Sequence, residues 1–85
     1  MGINVKAGQF ITPKRMINPT MVRYWKYARE CARIGGGIMP GANMRVQQVS
    51  NTPGDVWVKV EVPGSDPVST LKIAGEEYAN SFRVM

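Results

Sequence analysis

The chain has 85 residues, of which 44% are hydrophobic, and a formal net charge of +5 at pH 7. This length allows one domain with one modest core, and the hydrophobic content is typical of a folded rather than a disordered chain. One cysteine and no histidine are present, which excludes an internal disulfide and removes both the usual general base and the commonest metal ligand.

The charge is distributed unevenly along the chain. Residues 1–45 contain eight basic residues and one acidic residue, whereas residues 46–85 contain three basic and five acidic residues. This asymmetry is typical of a surface that binds nucleic acid, or of two opposite surfaces that meet in an assembly. Ordinary solubility charge is the simpler interpretation, since small domains commonly carry a net charge of about 2–8.

Residues 1–17 are predicted to form an extended arm or an edge strand. Ile3, Val5 and Ala7 alternate weakly with other residues, and Gly8 interrupts the pattern. Because the alternation is short, it indicates an extended segment rather than a central strand.

The pattern of residues 18–35 predicts one capped amphipathic helix. Asn18 is a typical N-cap residue, Pro19 suits the first helical position, and Gly35 can close the helix in the left-handed conformation. One side of this helix carries most of the apolar residues, including three aromatic ones. The other side carries most of the charge, which is typical of a helix that packs on a core through one face.

Residues 36–44 are predicted to be a glycine-rich loop. The sequence Gly-Gly-Ile-Met-Pro-Gly-Ala-Asn-Met is incompatible with regular structure. Its content of Ile38, Met39 and Met44 is apolar for a solvated loop, so we expect part of it to pack on the core or on a neighbouring chain.

From residue 45 the pattern changes to the period of two that indicates strands. Residues 45–50 and 68–74 are predicted strands, and residues 56–62 form the clearest one, with four valines on one face and Trp57, Lys59 and Glu61 on the other. Turns are predicted at residues 51–55, 63–67 and 75–77. For the last residues two predictions compete: a strand over 81–85, or a short helix that pairs Tyr78 with Phe82 and Met85.

Together these elements predict an α+β fold in a single domain over residues 1–85. It would consist of the arm (1–17), the helix (18–35), the loop (36–44) and a small antiparallel meander of three or four strands (45–85), covered by the helix.

The candidate binding residues are basic and lie mostly on the charged face of the predicted helix. They could contact nucleic-acid phosphates or an acidic protein surface. Trp57 is a candidate for stacking on a base or for an interface, although it could equally be covered by another part of the chain. The predicted binding residues are Lys14, Arg15, Arg23, Lys26, Arg29, Arg33 and Arg45.

No catalytic, metal or cofactor site is predicted, and we expect the protein not to be an enzyme. Cys31 lacks a histidine partner, and adjacent Glu76 and Glu77 would point in opposite directions in a strand. The three glycines at 35–37 follow a predicted helix and are not followed by Lys-Ser/Thr, so they do not fit a phosphate-binding loop.

We therefore expect a structural or assembly protein, a small multi-copy component of a larger complex such as a virion, where it would be a minor capsid, cement or connector protein. The predicted partners are other protein subunits, including copies of the chain itself. The alternative is a small basic nucleic-acid-binding or regulatory protein that binds DNA or RNA, and a third option is an inhibitor of one partner. We expect a virion or cytoplasmic location, with no signal peptide, no transmembrane segment and no membrane partner.

Overall fold

The computed structural model describes residues 2–17, 38–61 and 70–85. These residues form five strands and one helix: β1 (Phe10–Pro13), β2 (Met44–Thr52), β3 (Asp55–Glu61), β4 (Thr70–Ala74), α1 (Gly75–Ser81) and β5 (Phe82–Val84). The strands form one sheet in the order β4-β3-β2-β1-β5. Every neighbouring pair is antiparallel.

The predicted α+β class is wrong for the described residues. They form mostly a five-stranded antiparallel sheet, and their single helix, α1, has 7 residues. The predicted meander of three or four strands missed β1, because its four residues do not alternate between polar and apolar side chains. The predicted helix over residues 18–35 lies outside the described residues.

The N-terminal residues are not the predicted arm or edge strand, because β1 lies between β2 and β5. Ile11, Thr12 and Pro13 are buried. The residues before β1 are also fixed, since Asn51 in β2 binds the backbone of Ile3 through its side-chain amide. Ile3 and Val5 are buried in the core, so this segment contributes to the fold itself.

The predicted hairpin between the second and third strands is confirmed. Thr52 pairs with Asp55 across the turn, and Gly54 has φ +81°, which is the value that a type II turn requires after proline. Val58 and Val60 enter the core while Trp57 lies on the other face, as the alternation predicts.

The two competing predictions for the last residues are each correct in part. Residues 75–81 form α1, where a turn was expected over residues 75–77, and residues 82–84 form a strand. Tyr78 stacks on Phe82 with ring centroids 6.4 Å apart. Glu76 and Glu77 lie in the first turn of α1, where negative charge stabilises a helix.

One core joins all five strands. Leu71 and Ile73 from β4 belong to the same cluster as Phe82 from β5, although these strands are at opposite ends of the strand order. The sheet must therefore curl around the cluster. A register shift in β2 between Val46 and Gln48 is the kind of bulge that bends a strand.

Candidate protein-interaction surface

The outer face of β1 carries an exposed row of side chains across three strands. Phe10 is opposite Arg45 of β2, and the Met85 N–H donates to the Phe10 carbonyl (3.0 Å), which places Met85 opposite Phe10 on its other side. Residues directly opposite each other in an antiparallel pair point to the same face. Phe10 therefore lies between a methionine and an arginine, all three exposed to solvent.

A tight turn covers the next outward position of β1. The Gly41 N–H donates to Thr12 Oγ1 (2.7 Å), and the Ala42 N–H donates to the Met39 carbonyl (3.1 Å). With Pro40 in second place and Gly41 at φ +95°, residues 39–42 form a type II turn. This turn buries Thr12 and leaves Met39 exposed at its start.

Met16 lies beside Met39 because of a single antiparallel bridge. Ile17 and Ile38 exchange two backbone hydrogen bonds of 2.9 and 2.8 Å, so the residues on either side of the bridge, Met16 and Met39, are opposite each other. Ile17 and Ile38 are buried. The bridge thus connects the exposed methionines to the core.

The four residues Phe10, Met16, Met39 and Met85 are called the apolar strip below. Together with Val84 they are all the large hydrophobic residues that are exposed within the described ranges, with exposed fractions between 44% (Phe10) and 59% (Met39). Phe10 and Met39 are each two residues away from the contact between Thr12 and Gly41. Strand register and the Ile17–Ile38 bridge therefore place the four residues on one side of β1.

Several exposed basic side chains lie on or next to β1, near the apolar strip. Arg83 is opposite Thr12, and Lys14 follows two residues later on the same face, its N–H donating to the Ser81 carbonyl (2.7 Å). Both side chains are exposed, as is that of Arg15. Arg45 contacts Glu61 at 3.9 Å, and Gln47 Nε2 donates to the same carboxylate oxygen (3.0 Å). Of the predicted binding residues, the fold thus brings Lys14, Arg15 and Arg45 to the region around β1.

Strand β5 presents outward-facing backbone groups. The N–H of Met85 and the C=O of Ser81 form hydrogen bonds with backbone groups of β1 and of the residue after it. In an antiparallel strand the backbone groups of successive residues point alternately toward and away from one neighbouring strand. The N–H and C=O of Val84 therefore point away from β1. Within residues 2–17, 38–61 and 70–85, β5 pairs with β1 and no other strand. This feature depends on strand register, so the sequence pattern could not reveal it.

Trp57 lies away from this region, on the outer face of β3. It is 7% exposed, its Nε1 donates to Asp55 Oδ2 (3.1 Å), and Lys72 Nζ lies 4.2 Å from its ring centroid. Stacking of a base on this ring would require Lys72 to move. The stacking or interface role of Trp57 stays a prediction.

The remaining predicted binding residues, Arg23, Lys26, Arg29 and Arg33, lie outside the described residues. In the part of the chain that the structure covers, no three His, Cys, Asp or Glu side chains are grouped so that they could hold a metal ion. No helix within those same ranges is long and apolar enough to span a bilayer.

Comparisons of the chain with protein-family models, with curated proteins and with solved structures found no match.

Proposed function

We propose that the protein is a non-enzymatic structural component whose copies associate with one another, and with other subunits of a larger assembly, through the apolar strip. A virion is one such assembly, in which the chain would be a minor capsid, cement or connector protein. The observation that supports this proposal is the grouping of Phe10, Met16, Met39 and Met85 on one side of β1.

The chemistry of the strip suits a protein interface. Fully burying a Phe or Met side chain contributes about 1.5–3 kcal/mol, and the side chains of the strip are 44–59% exposed, so a partner that covered them would gain about half of that value for each. Aromatic residues, Met and Arg are enriched in interfaces. Methionine side chains also adapt to partners of different shape. Arg45 and Arg83 would lie at the polar margin of this contact.

Sedimentation equilibrium over a range of protein concentrations tests the proposal. We expect the wild-type chain to self-associate, and Phe10→Ser or Met39→Ser to weaken association about tenfold or more, as expected for a residue at the centre of an interface. Both side chains are exposed, so the variants should keep the circular-dichroism spectrum and melting temperature of the wild type. Gln48→Ser, an exposed position on β2, is the control and should associate normally.

A chain that remains monomeric at the highest concentrations would contradict homotypic assembly. Deletion of residues 1–12 is not a useful test, because it removes Ile3, Val5 and Ile11 from the core.

Nucleic-acid binding is the second candidate function. The exposed side chains of Lys14, Arg15, Arg45 and Arg83 favour it, since each could contact a phosphate. Fluorescence anisotropy of labelled duplex and single-stranded DNA over a salt series would test it. A logarithm of the affinity that falls linearly with the logarithm of the salt concentration would indicate phosphate contacts. Absence of binding at low salt would contradict this candidate.

A further inference from the structure

We propose that the outward edge of β5, which pairs with no strand among the described residues, binds an extended, acidic segment of another protein subunit beside Val84. This inference rests on the proposed role in assembly, but it concerns the edge of the sheet and not the apolar strip on its face. It names both the mode of binding and the chemistry of the partner.

The mode of binding follows from the backbone. The N–H and C=O of Val84 point away from β1, and within the described ranges no strand lies on that side of β5. An edge with one donor and one acceptor on the same residue can form the pair of hydrogen bonds that a neighbouring strand offers. A helix cannot supply these partners, since its backbone groups bind each other.

The side chains at the edge specify the pattern of the partner. Val84 is opposite the core residue Ile11, so it lies on the inner face of the sheet, where it is 48% exposed. Arg83 lies on the outer face, opposite Thr12. A strand added here would place an apolar side chain beside Val84 and, one residue away, a side chain beside Arg83.

Charge favours an acidic residue at that second position. Lys14 and Arg45 lie on the same outer face as Arg83. The nearest carboxylates along the described chain, Glu76 and Glu77, lie in the first turn of α1, at the end away from β5. Arg83 and Lys14 attract an acidic partner and repel a basic one, whereas Arg45 lies two strands away on β2 and is paired with Glu61.

A second copy of β5 fits this edge less well. Two β5 strands paired through Val84 would bring both Arg83 side chains to the same short ribbon, and like charges in neighbouring strands are destabilising. The favoured occupant is therefore a different segment with alternating acidic and apolar residues.

The test uses a short fluorescein-labelled peptide of alternating aspartate and valine, with a lysine–valine peptide of equal length as the control. A third peptide carries N-methyl groups on alternate amides, so one of its edges cannot donate backbone hydrogen bonds to β5. Binding to the full chain would be measured by anisotropy, and the site would be located from amide shifts in ¹⁵N-resolved NMR spectra.

We expect the acidic peptide to bind, to shift the Val84 amide, and to bind about tenfold or more tightly than the basic and N-methylated peptides. Val84→Pro should abolish this binding, because it removes the outward N–H while leaving the bonds to β1. Proline is tolerated at such edge positions. Arg83→Gln should weaken binding of the acidic peptide only.

The inference is overturned if the acidic peptide does not bind, if it binds away from β5, or if N-methylation leaves its affinity unchanged. The peptide comparison remains decisive even if Val84→Pro fails to fold. Met39→Ser separates the two proposals, since it should weaken self-association while leaving peptide binding unchanged. A variant that loses self-association but still binds the peptide would thus affect the proposal about the apolar strip and not the proposal about β5.

Discussion

The side-chain amide of Asn51 forms two hydrogen bonds with the backbone of Ile3, accepting from its N–H (2.6 Å) and donating to its carbonyl (3.0 Å). In this way one side chain of β2 takes the place of a neighbouring strand and holds the N-terminal residues against the core.

Asn51→Ala should therefore lower the free energy of unfolding by about 1–3 kcal/mol, because two hydrogen bonds are lost and each contributes about 0.5–1.5 kcal/mol. Asn51→Asp keeps an acceptor for the Ile3 N–H but sets its second carboxylate oxygen against the Ile3 carbonyl oxygen, so it should also be destabilising near neutral pH. Urea denaturation measures both effects. Asn43→Ala, an exposed asparagine before β2, serves as the control. An equal loss in that variant would show that the contact with Ile3 is not responsible.

Gly75 is packed so closely on Val56 that a methyl group has no room. A Cβ at Gly75 would lie 2.5 Å from Val56 Cγ1 and 3.1 Å from Val56 Cβ. Although alanine favours helices, Gly75→Ala should destabilise the protein by about 1–3 kcal/mol through overpacking. In the Gly75→Ala background, Val56→Ala should cost less than it does in the wild type. Additive effects in this double-mutant cycle would rule out a direct clash.

Removing the buried hydroxyl group should have opposite effects on stability at Thr12 and at Ser81. Thr12 Oγ1 accepts from the Gly41 N–H, so Thr12→Val should cost about 0.5–1.5 kcal/mol by removing that hydrogen bond. Ser81 Oγ is buried with no hydrogen-bond partner among the described residues. Ser81→Ala should therefore be neutral, or stabilising by up to about 1 kcal/mol. Thermal or urea unfolding compares the two, and a large loss in Ser81→Ala would show that its hydroxyl is paired.

Burial raises the pKa of the Tyr78 phenol above its usual value of 10.0. Because the folded-state pKa is the higher one, the stability contributed by the neutral phenol is fully present below pH 10.0. It is lost as the pH rises through the folded-state pKa. Tyr78→Phe keeps the aromatic ring beside Phe82 and removes the ionisation. Between about pH 8 and about pH 11, the variant should lose less stability than the wild type. If the wild type and Tyr78→Phe lose the same stability, the loss at alkaline pH comes from other ionisable groups.

The hairpin of β2 and β3 could be predicted because its information is local. Pro53 and Gly54 specify the turn, and the alternating valines specify which face is buried. Strand β1 could not be predicted in this way. Phe10, Ile11, Thr12 and Pro13 show no alternation, and their strand is defined by partners at residues 44–45 and 82–84, which are distant in sequence.

The candidate surface was predictable only in part. The loop before β2 was expected to place apolar residues on the core or on a neighbour, and Ile38 and Met44 are in the core whereas Met39 is exposed. The outward amide of Val84 follows from the register between β1 and β5, which no local pattern contains. The basic residues of the predicted helix lie outside the described residues, so their role stays a prediction.

The pairing of β1 with β5 also has a consequence for biosynthesis. Ile11 pairs with Val84, a contact that closes a loop of about 70 residues and is therefore slow to form. During translation the β2–β3 hairpin can form early, whereas the sheet stays incomplete until residues 82–84 have left the ribosome. Until then Phe10 and Ile11 lack one of their neighbouring strands. The nascent chain therefore exposes an additional unpaired strand edge, which a chaperone would recognise.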